Sequence, residues 1–260
     1  MHFLLEMLRQ GFILARADPF IHLEIQTTLR LAVYSTAIAI LIGTVPAYLI
    51  GVRTARLSRW GMIASNAALG LPSVGVGIVL LIWLPGNTPW GPGWFGFPAM
   101  VLGQTILAIP IIIALGAAAI RGLPDGLIDQ ARAYGAYGWR LGFFAFREAR
   151  IGIITAVIVS IGAAIGEVGA VVILSTNQEG VSATVSSDIL NYVGPRIDVG
   201  WAGGGYSGGA AGVPGAVEHA IVVMAMLIPL GVILTIVQQW GKTPRAPQPE
   251  SAASGTLTPG

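Results

Sequence analysis

The chain has 260 residues, 54% of them hydrophobic and 10% charged, where a soluble globular chain carries about 25% charged residues. So little charge cannot cover a water-facing surface, and a mean hydropathy of +0.76 makes lipid the solvent for most of the chain. A net charge of +2 gives no electrostatic footprint for nucleic acid, and the absence of cysteine excludes disulfides, thiolate metal sites and a cysteine nucleophile.

The N-terminus, Met1 to Arg16, places charges too early for a cleavable signal peptide. Phe3, Leu4, Met7, Leu8, Phe12 and Leu14 share one helical face, opposite Glu6, Arg9 and Gln10. This pattern predicts an interfacial helix within a lead-in over 1–26. A sixth span is the alternative, disfavoured by Glu6, Arg9 and Arg16.

Five stretches are apolar and long enough to cross a bilayer, near 31–52, 62–84, 98–120, 151–174 and 219–240. The expected fold is therefore an all-α membrane protein with five transmembrane helices, a permease domain over 27–240, plus the N-terminal interfacial helix. Lys and Arg set its orientation. Arg53, Arg56 and Arg59, five arginines in the loop 121–150, and Lys242 and Arg245 share one side, whereas the other side holds Arg9, Arg16, Arg30 and Arg196. The richer side is cytoplasmic, which puts the N-terminus outside and the C-terminus inside.

Between spans, Trp90, Trp94 and Phe95 suit an interfacial aromatic belt in the outer loop 85–98. The Gly-rich external loop 194–215 reads as a linker, and the tail 241–260 as disordered. Gly162, Gly166 and Ala170 form a stripe of small residues for close helix packing in the fourth span. Pro46, Pro72, Pro110 and Pro229 sit where they kink spans.

A charged cytoplasmic loop at 121–150 stands out in so apolar a chain. Pro124 suits a first helical position. Leu127, Ile128, Ala131 and Tyr134 then share a face, and Gly135 falls where a left-handed cap ends the helix. A second amphipathic piece runs from Trp139 to Phe146. Periodicity leaves two readings open: a knob for a partner's groove, or a solvated loop on the lipid surface.

Asp129-Gln130-Ala131-Arg132-Ala133-Tyr134-Gly135 resembles the EAA loop of ABC importer permeases, whose pattern is Glu-Ala-Ala, three residues, then Gly. Asp129 takes the acidic place, Gln130 and Ala131 the two alanine places, and Gly135 that of the glycine. Gly70-Leu71-Pro72-Ser73-Val74-Gly75 resembles molybdate/tungstate-type permeases. Arg147-Glu148-Ala149-Arg150 and Gly166-Glu167-Val168-Gly169-Ala170 resemble the tungstate branch in particular. The resemblance implies a type I ABC importer permease fold in a bacterial inner membrane, working as a homodimer with an ATP-binding subunit docked at 121–147 through Asp129, Gln130, Ala131 and Gly135, and with an external oxyanion-binding protein. The resemblance also implies that ATP and Mg bind the partner ATPase and that this chain binds no cofactor of its own. Tungstate is the implied substrate, with molybdate or sulfate as alternatives.

Glu167 is the one acidic residue deep in an expected span. Such a group is a functional candidate by default. A carboxylate repels an oxyanion, so a structural role, accepting bonds from backbone or hydroxyl groups, competes with bracing a gate. Pathway or gate candidates are Glu167, Gly166, Gly169, Ser73, Gln104 and Thr105, with Thr44, Ser160 and Ser175 as further neutral donors.

Gly203 to Gly208 matches G-x-G-x-x-G with no strand before it, and Gly241-Lys242-Thr243 lacks the first P-loop glycine, Ile236 standing there. His2, His22 and His219 lack ligand spacing for a metal. No catalytic site is expected. An ion-coupled secondary carrier would need inverted repeats and paired intramembrane charges.

Overall fold

A computed structural model describes residues 21–52, 56–84, 96–175, 183–185 and 212–240. Residues 1–20 with the expected N-terminal helix, most of the outer loop 85–98, residues 194–211 of the expected Gly-rich loop and the tail lie outside the described residues, while residues 212–215 of that loop are helical and open the last helix. Among the described residues the chain is all helical. Its elements are α1 Ile21–Val52, α2 Arg56–Ala68, α3 Ser73–Trp83, α4 Phe97–Arg121, α5 Leu127–Ala133, α6 Trp139–Glu148, α7 Arg150–Gly166, α8 Gly169–Leu174 and α9 Gly212–Trp240. Among the described residues three helices are long and apolar enough to cross a membrane, or up to five if each bent pair is one span.

The first span begins ten residues before the expected 31, so the lead-in's residues 21–26 belong to α1. Polar residues continue the helix there because they find partners. Thr27 Oγ1 donates to the Leu23 carbonyl at 2.9 Å and Thr28 Oγ1 to that of Glu24 at 2.8 Å. Such back-bonding satisfies a hydroxyl without leaving the helix.

The second expected span, 62–84, is not one helix. The α2 and α3 segments meet at 90°. Pro72, in extended conformation (φ −68°, ψ 119°), is the N-cap of α3. It has no N–H to continue α2 and biases Leu71 away from helix. Pro46, Pro110 and Pro229 instead lie inside continuous helices.

The fourth expected span is also interrupted. Glu167 is extended (φ −77°, ψ 123°) between α7 and α8. The break divides the small-residue stripe. A Cβ at Gly162 would meet Leu230 at 3.1 Å on α9, while Ala170 sits against Gly77 of α3. The stripe therefore serves two different neighbours rather than one.

The α4 helix is central. Its Met100 packs with Leu31, Leu80, Val171 and Leu174 at one end of the bundle. Ala108 and Ile112 pack with Ala39 and Ala156 in the middle. Ile120 packs with Ala145 and Ala149 at the other end. Beside it, α7 and α9 meet α1 through Ala32, Ala164, Ile165, Met226 and Leu227. Small residues set these approaches: a Cβ on Gly152 would lie 2.3 Å from Ala119 Cβ. Lipid-embedded helices gain by such close contact, since burial from water is not available to drive them together.

Arg121 closes the α4 end. Its guanidinium donates to the carbonyls of Ile50 and Ser58 at 3.2 Å each, and to Ser58 Oγ. One side chain thereby binds carbonyls at the end of α1 and the start of α2.

Candidate functional site: a projecting elbow and an intramembrane cavity

Two features gather the candidate residues. The first is the elbow formed by α5 and α6. Pro124 does not open α5 as expected. It lies in the preceding turn, where its carbonyl accepts the Leu127 N–H at 3.2 Å, and Gly126 (φ 78°) is the N-cap. The C-terminus has the geometry that Gly135 calls for. Gly135 has φ 84°, its N–H donates to the Arg132 carbonyl at 2.9 Å, and the Ala136 N–H donates to that of Ala131 at 2.9 Å. These two bonds form a Schellman motif, which stops a helix sharply.

Ala131 is buried, Asp129 and Gln130 are exposed, and Asp129 pairs with Arg132 at 2.8 Å on the surface. Tyr134 does not share the buried face. It follows the last helical residue and is 93% exposed. Ile128 and Phe146 anchor the elbow on Ile120, Ala145 and Ala149, and Tyr48 of α1 lies against Phe146 with ring centroids 6.2 Å apart. Outward the elbow presents Tyr134, Tyr137, Trp139 and Phe143, all more than half exposed. Next to them, Phe144, Arg147, Glu148, Arg150 and Ile151 line an open cleft of about 430 Å³.

The second feature is a cavity of about 190 Å³ at the breaks in both interrupted spans. Leu69 and Leu71 reach it from the α2–α3 break and Glu167 from the end of α7; Gln104 and Ser160 supply its other polar side chains. Glu167 Oε1 accepts the Gly169 N–H at 3.0 Å, a backbone partner of the kind a structural role requires. Gln104 is 2% exposed, and its Nε2 has no hydrogen-bond partner. Ser160 Oγ lies 3.3 Å from Thr36 Oγ1.

The other candidates are elsewhere. Thr105 Oγ1 donates to the Val101 carbonyl at 2.7 Å, which binds it into its own helix. Thr44 is similarly bound to the Ile40 carbonyl, and Ser175 caps α8. Gly169 allows α8 to touch the start of α3, since a Cβ there would lie 2.5 Å from Ser73 Oγ. Gly166 is looser, with Leu227 at 3.8 Å. Among the described residues no group of His, Asp and Glu could hold a metal ion.

Sequence reasoning missed one pair altogether. His219, read from sequence only as lacking metal-ligand spacing, lies with Nε2 2.9 Å from Glu24 Oε2, and both side chains are buried. Thr28 Oγ1, one turn from Glu24, accepts the Val185 N–H at 3.2 Å. The available signal was an ionisable residue beside each terminal apolar run.

Residues 25–241 match the family model described as "Binding-protein-dependent transport system inner membrane component". A probable anion ABC transporter permease protein of Haloferax volcanii is 40% identical over 114 residues, which cover 43% of this chain and 49% of that one. The chain thus matches about half the length of that relative. A tungstate uptake system permease protein of Campylobacter jejuni is 28% identical over 68% of this chain and 75% of its own. Among solved structures, an inward-facing conformation of the MetNI methionine ABC transporter has a TM-score of 0.64 at 18% identity, covering 86% of this chain and 97% of that one. A bacterial ABC transporter that imports alginate has a TM-score of 0.58 at 13% identity, over 90% and 79%. These likenesses give the type I permease fold. The chain belongs to the family of binding-protein-dependent transport system inner membrane components: it is an ABC transporter permease, whose ATPase is a separate subunit.

Proposed function

We propose that this permease imports a tetrahedral oxyanion, tungstate foremost, and that the α5–α6 elbow is where its ATPase docks. The observation that carries the docking role is the set of exposed aromatics on a turn held by the Gly135 cap. Large aromatics on a rigid knob are what a partner's groove takes up. Asp129, Gln130 and Ala131 then position the docking helix, and Arg121 passes its movement to the carbonyls of Ile50 and Ser58.

The oxyanion reading is supported by the tungstate and anion permeases among the relatives and by a cavity that offers neutral donors with no Lys or Arg in its wall. A permease that leaves recognition to an external binding protein needs a path that releases its cargo. One chain supplies half a path, and a second copy completes it. The elbow faces the cytoplasm, as the positive charge near it requires. ATP closes the ATPase dimer, the elbow is drawn with it, and the cavity opens outward to receive the anion.

The test is uptake into proteoliposomes holding the permease, its ATPase and its binding protein. ATP-driven accumulation of tungstate, exceeding that of molybdate and sulfate, is the expected result. Accumulation of none of the three overturns the oxyanion reading.

A further inference from the structure

We propose that Gln104 is a ligand for the transported anion inside the bundle, with Glu167 as the group that keeps its binding brief; this rests on the oxyanion reading above. Gln104 is 2% exposed and its Nε2 has no partner. A buried amide carries two N–H donors, and leaving them unmet is unfavourable enough that native structures rarely do it. Gln104 lines a cavity of about 190 Å³ whose wall is otherwise mainly apolar, with Leu69, Leu71 and Leu107; Nε2 itself is buried, so a turn of the side chain is what brings its donors to an occupant. A tetrahedral oxyanion presents acceptor oxygens in every direction and can receive them.

The location supports the same assignment independently. The chain leaves helical geometry at Pro72 and at Glu167, and both breaks adjoin this cavity. Non-helical backbone at membrane depth is tolerated where it lines a cavity, and broken helices mark transport sites for that reason.

Glu167 then has a defined part. The Gly169 N–H holds Oε1 at 3.0 Å, so the carboxylate stays at the cavity wall. Its charge opposes the anion that Gln104 attracts. Attraction by a neutral donor against repulsion by a fixed carboxylate gives a weak site, which conduction needs. Ser160 Oγ, only loosely engaged with Thr36 at 3.3 Å, can turn to offer a second donor.

The absence of cysteine allows a direct test. Ala163, exposed and in the cavity wall, is replaced by Cys in the complete complex in proteoliposomes. Its alkylation rate is measured during turnover, with and without tungstate, together with tungstate moved per ATP hydrolysed. Tungstate is expected to slow alkylation. Gln104→Glu removes that protection and lowers tungstate moved per ATP by roughly ten- to a hundredfold, the range that goes with one hydrogen bond to a charged group. Gln104→Met, of similar length and without a donor, gives the same result if the glutamate variant does not assemble. Glu167→Gln strengthens protection while slowing transport, which a merely structural role does not produce. If Gln104 variants move tungstate per ATP at the parental ratio with protection intact, this assignment is overturned while the oxyanion reading stands. If the parental complex moves no oxyanion, both fall.

Discussion

His219 Nε2 lies 2.9 Å from Glu24 Oε2, and this contact joins the first long helix to the last with both side chains out of solvent. Removing one partner of a buried pair takes a stabilising contact from the other, a loss of up to about 3–5 kcal/mol for an ionised pair. His219→Ala is therefore expected to lower the thermal stability of the detergent-extracted protein strongly. Glu24→Gln, which keeps an acceptor, should do so less. Replacing both by leucine should come closer to the parent than His219→Ala does. Thermal melts of these variants check the order; equal melting for His219→Ala and the parent contradicts it.

Gly135 has a positive φ of 84° but open space where a Cβ would stand. A substitution there acts through backbone strain alone. Gly135→Ala should destabilise the α5 cap by about 1–2 kcal/mol, and Gly135→Asn by less, because asparagine tolerates the left-handed region. Limited proteolysis of the elbow reads this: cleavage should rise in the order parent, Asn, Ala.

At Gly169 the reverse holds, since space is the constraint. A Cβ would meet Ser73 Oγ at 2.5 Å and Val74 Cγ2 at 2.8 Å, whereas at Gly166 the nearest atom is 3.8 Å away. Gly169→Ala should cost about 1–3 kcal/mol through overpacking, and Gly166→Ala should be close to silent. Melting temperatures of the two variants, compared directly, decide it.

Arg121 donates to two carbonyls and a hydroxyl from one planar group. A lysine ammonium cannot reproduce that fork. Arg121→Lys should leave the net charge unchanged yet loosen the ends of α1 and α2, seen as faster amide exchange around Ile50 and Ser58. Unchanged exchange there contradicts the bracing role.

Much of this was legible because apolar length and arginine placement are properties of the chain itself. The helix at Phe97–Arg121 lies within a residue of the stretch that hydropathy marks, and Gly135 follows from the sharp end of a short amphipathic segment. What sequence could not carry were events decided by a neighbour. Pro72 turns the chain by 90° while Pro46 and Pro110 do not interrupt their helices, and local pattern treats all three alike. The extended backbone at Glu167 breaks a run of small and apolar residues whose periodicity continues across it. Glu24 and His219 are 195 positions apart, and only the packing of α1 and α9 beside α7 brings them together. Arg121 looked like one more positive charge for orientation because its acceptors are backbone carbonyls, which composition does not display.

The most direct test of the central claim is whether the protein, co-expressed with its ATPase subunit and extracted in mild detergent, retains that subunit, and whether Gly135→Trp abolishes the association. The account expects a stable complex that the variant loses while the rest of the bundle still melts cooperatively. Absence of any bound ATPase, together with anion uptake into vesicles without ATP, would contradict it and point to an ion-coupled carrier.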